Sequence, residues 1–241
     1  MPGRLFLIPS SLSDDASSEG TLPAAVLGQV RALEAFVVEN AKTARAFLSA
    51  CGHPRPLREI AMVELNEHTP PETVSGMLAP LREGRDLGLL SEAGAPAVAD
   101  PGARLVAAAH EEGIRVVPLV GPSSILLALM ASGLEGQRFR FHGYLPVEAA
   151  ARRAKLQEIE RASSADDETQ VFIETPYRND ALLADILRSC DDATRLAVAV
   201  ALTSAGESIR MQPVAAWRAR PGTLGKKPAV FLLLGAPRRK R

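Results

Sequence analysis

Short apolar runs alternate along the chain with stretches of helical composition. Leu5-Phe6-Leu7-Ile8 has the pattern of a buried strand that stops at Pro9, residues 10–20 form a Ser- and Asp-rich polar loop, and a helix is expected from Pro23. Ala35–Val38 predicts the second strand, residues 41–51 a helix closed by Gly52, and residues 60–65 a third strand running into Asn66-Glu67-His68-Thr69. Pro70-Pro71-Glu72 opens a helix expected to end near Gly84, and Leu87–Leu90 and residues 116–119 add two strands around an Ala-rich helix at 104–112. Strand and helix thus alternate five times before residue 120, the rhythm of a mostly parallel, helix-covered sheet. Beyond Gly133 it restarts: strands at 139–142 and 171–174, helices at 148–162 and 179–190, strands at 196–202 and Ala229–Leu234, and a hairpin around 210–220. The expected fold is α/β, with an N-terminal domain over 1–119, a C-terminal domain over 120–241 and a ligand cleft between them.

Glycine and proline punctuate one stretch more heavily than the rest: Ser91-Glu92-Ala93-Gly94-Ala95-Pro96-Ala97-Val98-Ala99-Asp100-Pro101-Gly102, directly after a predicted strand. Parallel α/β sheets bind ligands at the carboxyl ends of their strands, so this loop is a candidate ligand wall. Asp100 as a helix N-cap with Pro101 as the first helical residue explains the same residues without a ligand, and both readings stand. Glu39, Asn40, Asn66, Glu67, His68 and Glu92 also follow predicted strands and share that edge. Gly121-Pro122-Ser123-Ser124 leads into an apolar helix at 125–131. Free N–H groups in its first turn suit an anionic or hydrogen-bond-accepting ligand, or Ser123 and Ser124 serve as caps.

Composition narrows the function. With 46% hydrophobic residues in 241, the chain can bury a sizeable core, and 28 basic against 28 acidic residues give no overall pull towards nucleic acid or membrane. The basic run Arg238-Arg239-Lys240-Arg241 reads either as a solvated tail or as a phosphate contact. Cys51 and Cys190, far apart in helical stretches, suit buried thiols in a reducing, cytoplasmic setting. No run reaches the ~18 apolar residues of a membrane span. His53, His68, His110 and His142 are scattered and no C-x-x-C occurs, so no metal is expected. Neither G-x-G-x-x-G nor a P-loop is present, and Gly121-Pro122-Ser123-Ser124-Ile125 lacks the second glycine of a G-x-S-x-G nucleophile elbow.

Four blocks taken together are specific. Ser91-Glu92-Ala93-Gly94-Ala95-Pro96 with Asp100-Pro101-Gly102, then Gly121-Pro122-Ser123-Ser124, then Phe139-Arg140-Phe141-His142-Gly143-Tyr144-Leu145-Pro146, then Glu174-Thr175-Pro176-Tyr177-Arg178 resemble, in order and spacing, the tetrapyrrole methylase superfamily of S-adenosylmethionine (SAM)-dependent methyltransferases, its ribosomal RNA small-subunit branch above all. The resemblance implies the class III methyltransferase fold, SAM as the cofactor, no metal and a homodimer. Carried over residue by residue, the SAM contacts fall on Gly94, Ala95, Pro96, Ala99, Ser123, Ser124, Glu174 and Thr203, with Pro9 a weaker match.

On the substrate side the chain departs from that branch. Pro9-Ser10-Ser11-Leu12 stands for Pro-Ile-Gly-Asn, Glu39-Asn40-Ala41-Lys42 for Glu-Asp-Thr-Arg, and Val200-Ala201-Leu202-Thr203-Ser204 for Arg-Glu-Leu-Thr-Lys. Methyl transfer requires the acceptor in line with the sulfonium–methyl bond, and a hydroxyl acceptor benefits from a nearby base. Glu39 is the first candidate for that base; a carboxylate capping the helix at Ala41 is its other reading. The acceptor expected is an RNA ribose hydroxyl. A tetrapyrrole or other small molecule, and a non-catalytic SAM-binding module, are the alternatives. For an RNA reading, the basic tail Arg238–Arg241, with Lys226 and Lys227 nearby in sequence, could track a phosphate backbone, and Arg152, Arg153, Arg178 and Arg210 are the candidates for a basic face.

Overall fold

The computed structural model describes residues 1–13 and 18–237. The basic run at 238–241 and residues 14–17 of the polar loop lie outside the described residues. The chain divides into two compact units, Met1–Ser123 and Ser124–Arg241.

The first unit is a parallel sheet between two helical layers. Its strands are β1 (Arg4–Ile8), β2 (Ala35–Val38), β3 (Ala61–Glu64), β4 (Leu87–Leu90) and β5 (Arg115–Pro118), in the order β3-β2-β4-β1-β5. Its helices are α1 (Ser18–Thr21), α2 (Ala24–Ala32), α3 (Ala41–Ala50), α4 (Ala79–Arg82) and α5 (Ala103–Glu111). Side chains alternate across a strand, so the near-continuous apolar runs of β1, β2 and β4 supply both faces. Phe6, Ile8, Phe36, Val38 and Leu90 pack with Val26, Leu27 and Val30 of α2 and Phe47 and Leu48 of α3. Leu5, Ala35, Val37, Leu87 and Leu89 pack on the other side with Leu78, Leu81, Leu105 and Ala109. Each fully buried side chain of this size contributes roughly 1.5–3 kcal/mol.

The helix expected from Pro70 to Gly84 is instead three short pieces, the 3-10 turns Pro71–Thr73 and Ser75–Leu78 followed by α4. Pro80 lacks the N–H that a continuous helix needs, and Gly76 adds backbone freedom, so short turns replace a rod.

The second unit has a mixed sheet of β6 (Phe139–Tyr144), β7 (Thr169–Glu174), β8 (Arg195–Val200), β9 (Ser208–Pro213) and β10 (Ala229–Leu234), ordered β6-β7-β10-β8-β9. β6 and β7 are parallel, while β10 runs antiparallel to both β7 and β8. Helices α6 (Ser124–Ser132), α7 (Ala149–Asp166), α8 (Asn179–Ser189) and α9 (Val214–Ala219) pack on it around Phe172, Phe231, Trp217, Leu156 and Ile186. The hairpin expected over 210–220 is corrected: β9 pairs with β8 across 201–207, and residues 214–219 form α9, where Val214 and Trp217, three apart, bury one face. Cys51 and Cys190 are both buried. Among the described residues no helix is long and apolar enough to cross a membrane.

Candidate functional site

Topology opens a crevice in the first unit. β2 and β4 are neighbours, but the chain leaves β2 through α3 on one face and β4 through α5 on the other. Diverging connections part the loops above the strand ends, which is where open α/β sheets take ligands. A hollow of about 370 Å³ lies there, lined by the Ser10 to Ser13 segment, Thr43, Phe47, Leu90 and the Ser91 to Ala93 segment. That volume suits a nucleoside-sized ligand. None of the sequence-predicted donor residues lines it, though those following β4 continue directly from Ala93.

The loop after β4 is braced from three directions. Ser10 and Gly94 exchange backbone hydrogen bonds of 2.9 and 3.2 Å, and Ser10 Oγ donates to Ser91 O at 3.2 Å. Glu39 Oε2 accepts from Glu92 N at 3.0 Å. Asp100 Oδ1 accepts from Gly102 N at 2.6 Å, while its Oδ2 is buried without a hydrogen-bond partner. Burial pushes the Asp100 carboxyl above the usual aspartate range and Glu39 adds repulsion, while the backbone N–H groups of Gly102 and Ala97 pull the other way.

These bonds hold an uncommon backbone. Gly94 has φ +73°, and the non-glycine residues Ala97 and Ala99 stand at +64° and +60°. Each alanine there costs of order 1 kcal/mol, a conformation kept only where its surroundings over-determine it. Among the described residues the other non-glycine positive φ values fall at Asp167, the C-cap of α7, and at Ala201 and Thr203 after β8. Apart from that cap, the positive-φ non-glycine residues among those described fall in the two strand-end loops where the family resemblance puts donor contacts.

The structure brings Pro9, Gly94 and the Gly121–Pro122 segment together. A Cβ on Gly121 would fall 2.5 Å from Pro9 Cβ, and one on Gly94 would fall 3.0 Å from Leu12 Cδ2 and 3.7 Å from Pro122 O. Pro96 is buried, Ala95 half-buried and Ala99 exposed on the same loop; Ser123 and Ser124 are half-buried at the start of α6. In the second unit Glu174, the last residue of β7, and Thr203, just past the end of β8, lie at one sheet edge. Glu174 Oε1 accepts from Thr175 N and from Arg178, yet its Oε2 is buried without a partner, as is Thr203 Oγ1. Orphaned buried oxygens are what a ligand's donors would satisfy. Each unit by itself carries features that suit SAM: a strained strand-end loop in each, and in the second the unpaired oxygens of Glu174 and Thr203. Among the described residues no cluster of His, Cys, Asp or Glu is arranged for a metal.

Two readings of carboxylates change. The α3 cap is Asn40, whose Oδ1 accepts from Lys42 N and Thr43 N, while Glu64 receives Ala41 N; Glu39 turns away to Glu92. Asp100 does not cap α5, whose N-cap position is Gly102 without a side-chain cap. A D-x-G spacing suited to an Asx turn was the sequence signal for the role that Asp100 does take. The arginines do not make one basic face either. Arg152 and Arg153 converge on Asp185, Arg178 on Glu174, and Arg210 stacks over Trp217.

Fold and strand-end loops define a two-unit α/β methyltransferase of the class III type. The family Tetrapyrrole (Corrin/Porphyrin) Methylases matches residues 25–216, and the chain belongs to it. It is thereby a SAM-dependent methyltransferase. It is 31% identical over 212 residues to "Ribosomal RNA small subunit methyltransferase I" of Escherichia coli O157:H7, covering 88% of this chain and 70% of that protein. It is 35% identical to the protein of that name in Pseudomonas aeruginosa, covering 73% of this chain but only 62% of the relative. The uroporphyrin-III-C-methyltransferase of Thermus thermophilus shares the fold, with a TM-score of 0.55 at 20% identity over 97% of this chain and 93% of that one.

Proposed function

We propose that the protein transfers the methyl group of SAM to a ribose hydroxyl of small-subunit ribosomal RNA. The observation carrying the donor side is the concentration of backbone strain in the loops at 91–102 and 201–207. In the first unit the proposed donor contacts are Pro9, Gly94, Ala95, Pro96, Ala99 and Ser123; in the second they are Ser124, Glu174 and Thr203. Support for the acceptor comes from the relatives named for the small-subunit RNA, 31% and 35% identical in the two cases given above. SAM supplies an activated methyl, and the chain's own task is to bind it, orient the acceptor and exclude competing nucleophiles. We assign Glu39 a positioning role through Glu92 rather than proton removal, because one of its oxygens is already committed to the loop.

The test incubates the protein with methyl-labelled SAM and small ribosomal subunits lacking this methylation. Label in an alkali-resistant linkage at one nucleotide is expected; inert RNA with label in a small molecule would sink the acceptor assignment.

A homodimer and a cytoplasmic setting belong to the same proposal. Leu126 and Met130 on α6, and Phe139 and Tyr144 on the edge strand β6, remain exposed in one chain, apolar surface that a second copy would cover. Light scattering at micromolar concentration should return twice the chain mass.

A further inference from the structure

Three loops leave one edge of the second sheet side by side. Ala229 pairs in register with both Glu174 and Val200, so the segments after β7, after β8 and before β10 are neighbours. They are stitched together by hydrogen bonds: Asn179 Nδ2 donates to Lys227 O at 2.7 Å, Leu224 N to Asp180 Oδ1 at 2.7 Å, and Ala201 N to Pro228 O at 2.8 Å. The acidic side chains of this frame are engaged, Glu174 through Oε1 with Arg178, Asp180 with Leu224 N and Glu207 with Thr203 N.

On this frame stands one of the chain's two tyrosines. Tyr177, in the single turn Pro176–Arg178, is 80% exposed and takes no part in the core. The Lys226 ammonium sits 5.3 Å from the centre of its ring, and the neighbouring Lys227 reaches across to Gly206. An exposed ring held on a fixed turn has the exposed Lys226 ammonium beside it, with the exposed Lys227 next in the chain and turned towards Gly206. It offers a flat π surface next to positive charge, at the edge that carries Glu174 and Thr203.

We propose that Tyr177, Lys226 and Lys227 form a docking platform for an unpaired RNA nucleotide flanking the methylated one. Its base stacks on the open face of the Tyr177 ring, and the two ammonium groups take adjoining phosphates. Stacking on an aromatic side chain beside cations holds single-stranded RNA without reading its sequence. This inference rests on the RNA reading of the acceptor and adds the residues that would hold the strand.

Fluorescence anisotropy with a short labelled single-stranded RNA tests it, with methyl transfer to small-subunit RNA measured in parallel. Tyr177→Ala should weaken RNA binding about tenfold or more, and Tyr177→Phe should stay within about twofold, since stacking and not the hydroxyl is used. The double variant Lys226→Ala/Lys227→Ala should reduce the slope of log affinity against log salt by about 1.4, two single-strand phosphate contacts. SAM affinity should be unchanged in all three. Wild-type transfer to RNA combined with unaltered RNA binding by Tyr177→Ala overturns the platform and leaves the acceptor standing. Transfer without any binding of the short RNA overturns it equally. Wild type that neither binds nor methylates RNA removes the acceptor reading, and the platform with it.

Discussion

Asp100 and Asp185 are both carboxylates taken out of water, one in each unit, and their surroundings push them in opposite directions. Asp185 is fully buried between α7 and α8. Burial opposes its charge, but hydrogen bonds from Arg188 and Arg152, with Arg153 beyond them, outweigh that and hold it below the usual aspartate range. Arg152 Nε and Nη2 donate to it at 2.8 and 2.5 Å, and Nη1 of that buried guanidinium donates to Val147 O at 2.7 Å. Asp100 has no guanidinium. It is served by backbone N–H groups, faces Glu39, and is held by burial above the usual range. One carboxylate closes a finished knot between two helices; the other holds a loop in a strained shape. The first is placed to serve folding, the second lies in the loop proposed to bind the methyl donor, and they should respond to substitution accordingly.

The largest effect expected is from Asp185→Ala, which leaves the Arg152 charge buried and unpaired and should cost about 3–5 kcal/mol in urea unfolding. Asp100→Ala is expected to change stability by about 1 kcal/mol or less, because the strain it maintains is released when it goes. The same change should weaken SAM binding by about tenfold or more, with Asp100→Asn restoring part of it through an amide oxygen that still accepts from backbone N–H groups. If Asp100→Ala instead unfolds the protein while Asp185→Ala is tolerated, the contrast is reversed.

Acid sharpens the same comparison, and the two signs differ. Asp185, depressed in the native state, contributes stability above the ordinary value of 3.8 that is lost as pH falls through its native value. Wild type should therefore lose stability below about pH 4 that Asp185→Asn does not lose. Asp100, raised in the native state, contributes stability that is present below 3.8 and disappears as pH rises through its native value. Asp100→Asn should remove that decline above about pH 4, read from urea midpoints across a pH series.

The smallest effect belongs to Glu39→Gln. A glutamine oxygen can still accept from Glu92 N, so kcat should change by less than about threefold, whereas losing a general base would cost 10²–10⁴-fold by the usual magnitude. A deeper fall in kcat with unchanged SAM affinity would return Glu39 to proton removal.

What the sequence disclosed follows from how strongly each residue is constrained. β1, β2 and β4 are buried on both faces, so their apolar runs were legible at nearly the right bounds. Residues 208–220 were not, because β9 is an edge strand with partly exposed positions and α9 is too short to develop a periodic pattern. Gly94, Pro96 and the serines at 123–124 stood out by residue type. The bracing of the loop by Ser10, Glu39 and Asp100 joins residues up to 84 positions apart, and local patterns carry no such pairing. Tyr177 had a sequence signal in retrospect, an aromatic residue in a Pro- and Arg-flanked turn of a chain with 4% aromatics, but only the stitched loops bring Lys226 to it.

Calorimetric titration of SAM into wild type and Gly94→Val tests the donor loop most directly. Valine at φ +73° would be strained and would press its Cβ against Leu12, distorting the loop where the Ser10 bridge fixes it. Saturable binding by wild type, reduced about a hundredfold or abolished in a variant whose circular dichroism is unchanged, is the predicted result. Equal affinity in the two proteins, or no SAM binding by wild type at millimolar ligand, would contradict the assignment of this loop to the methyl donor.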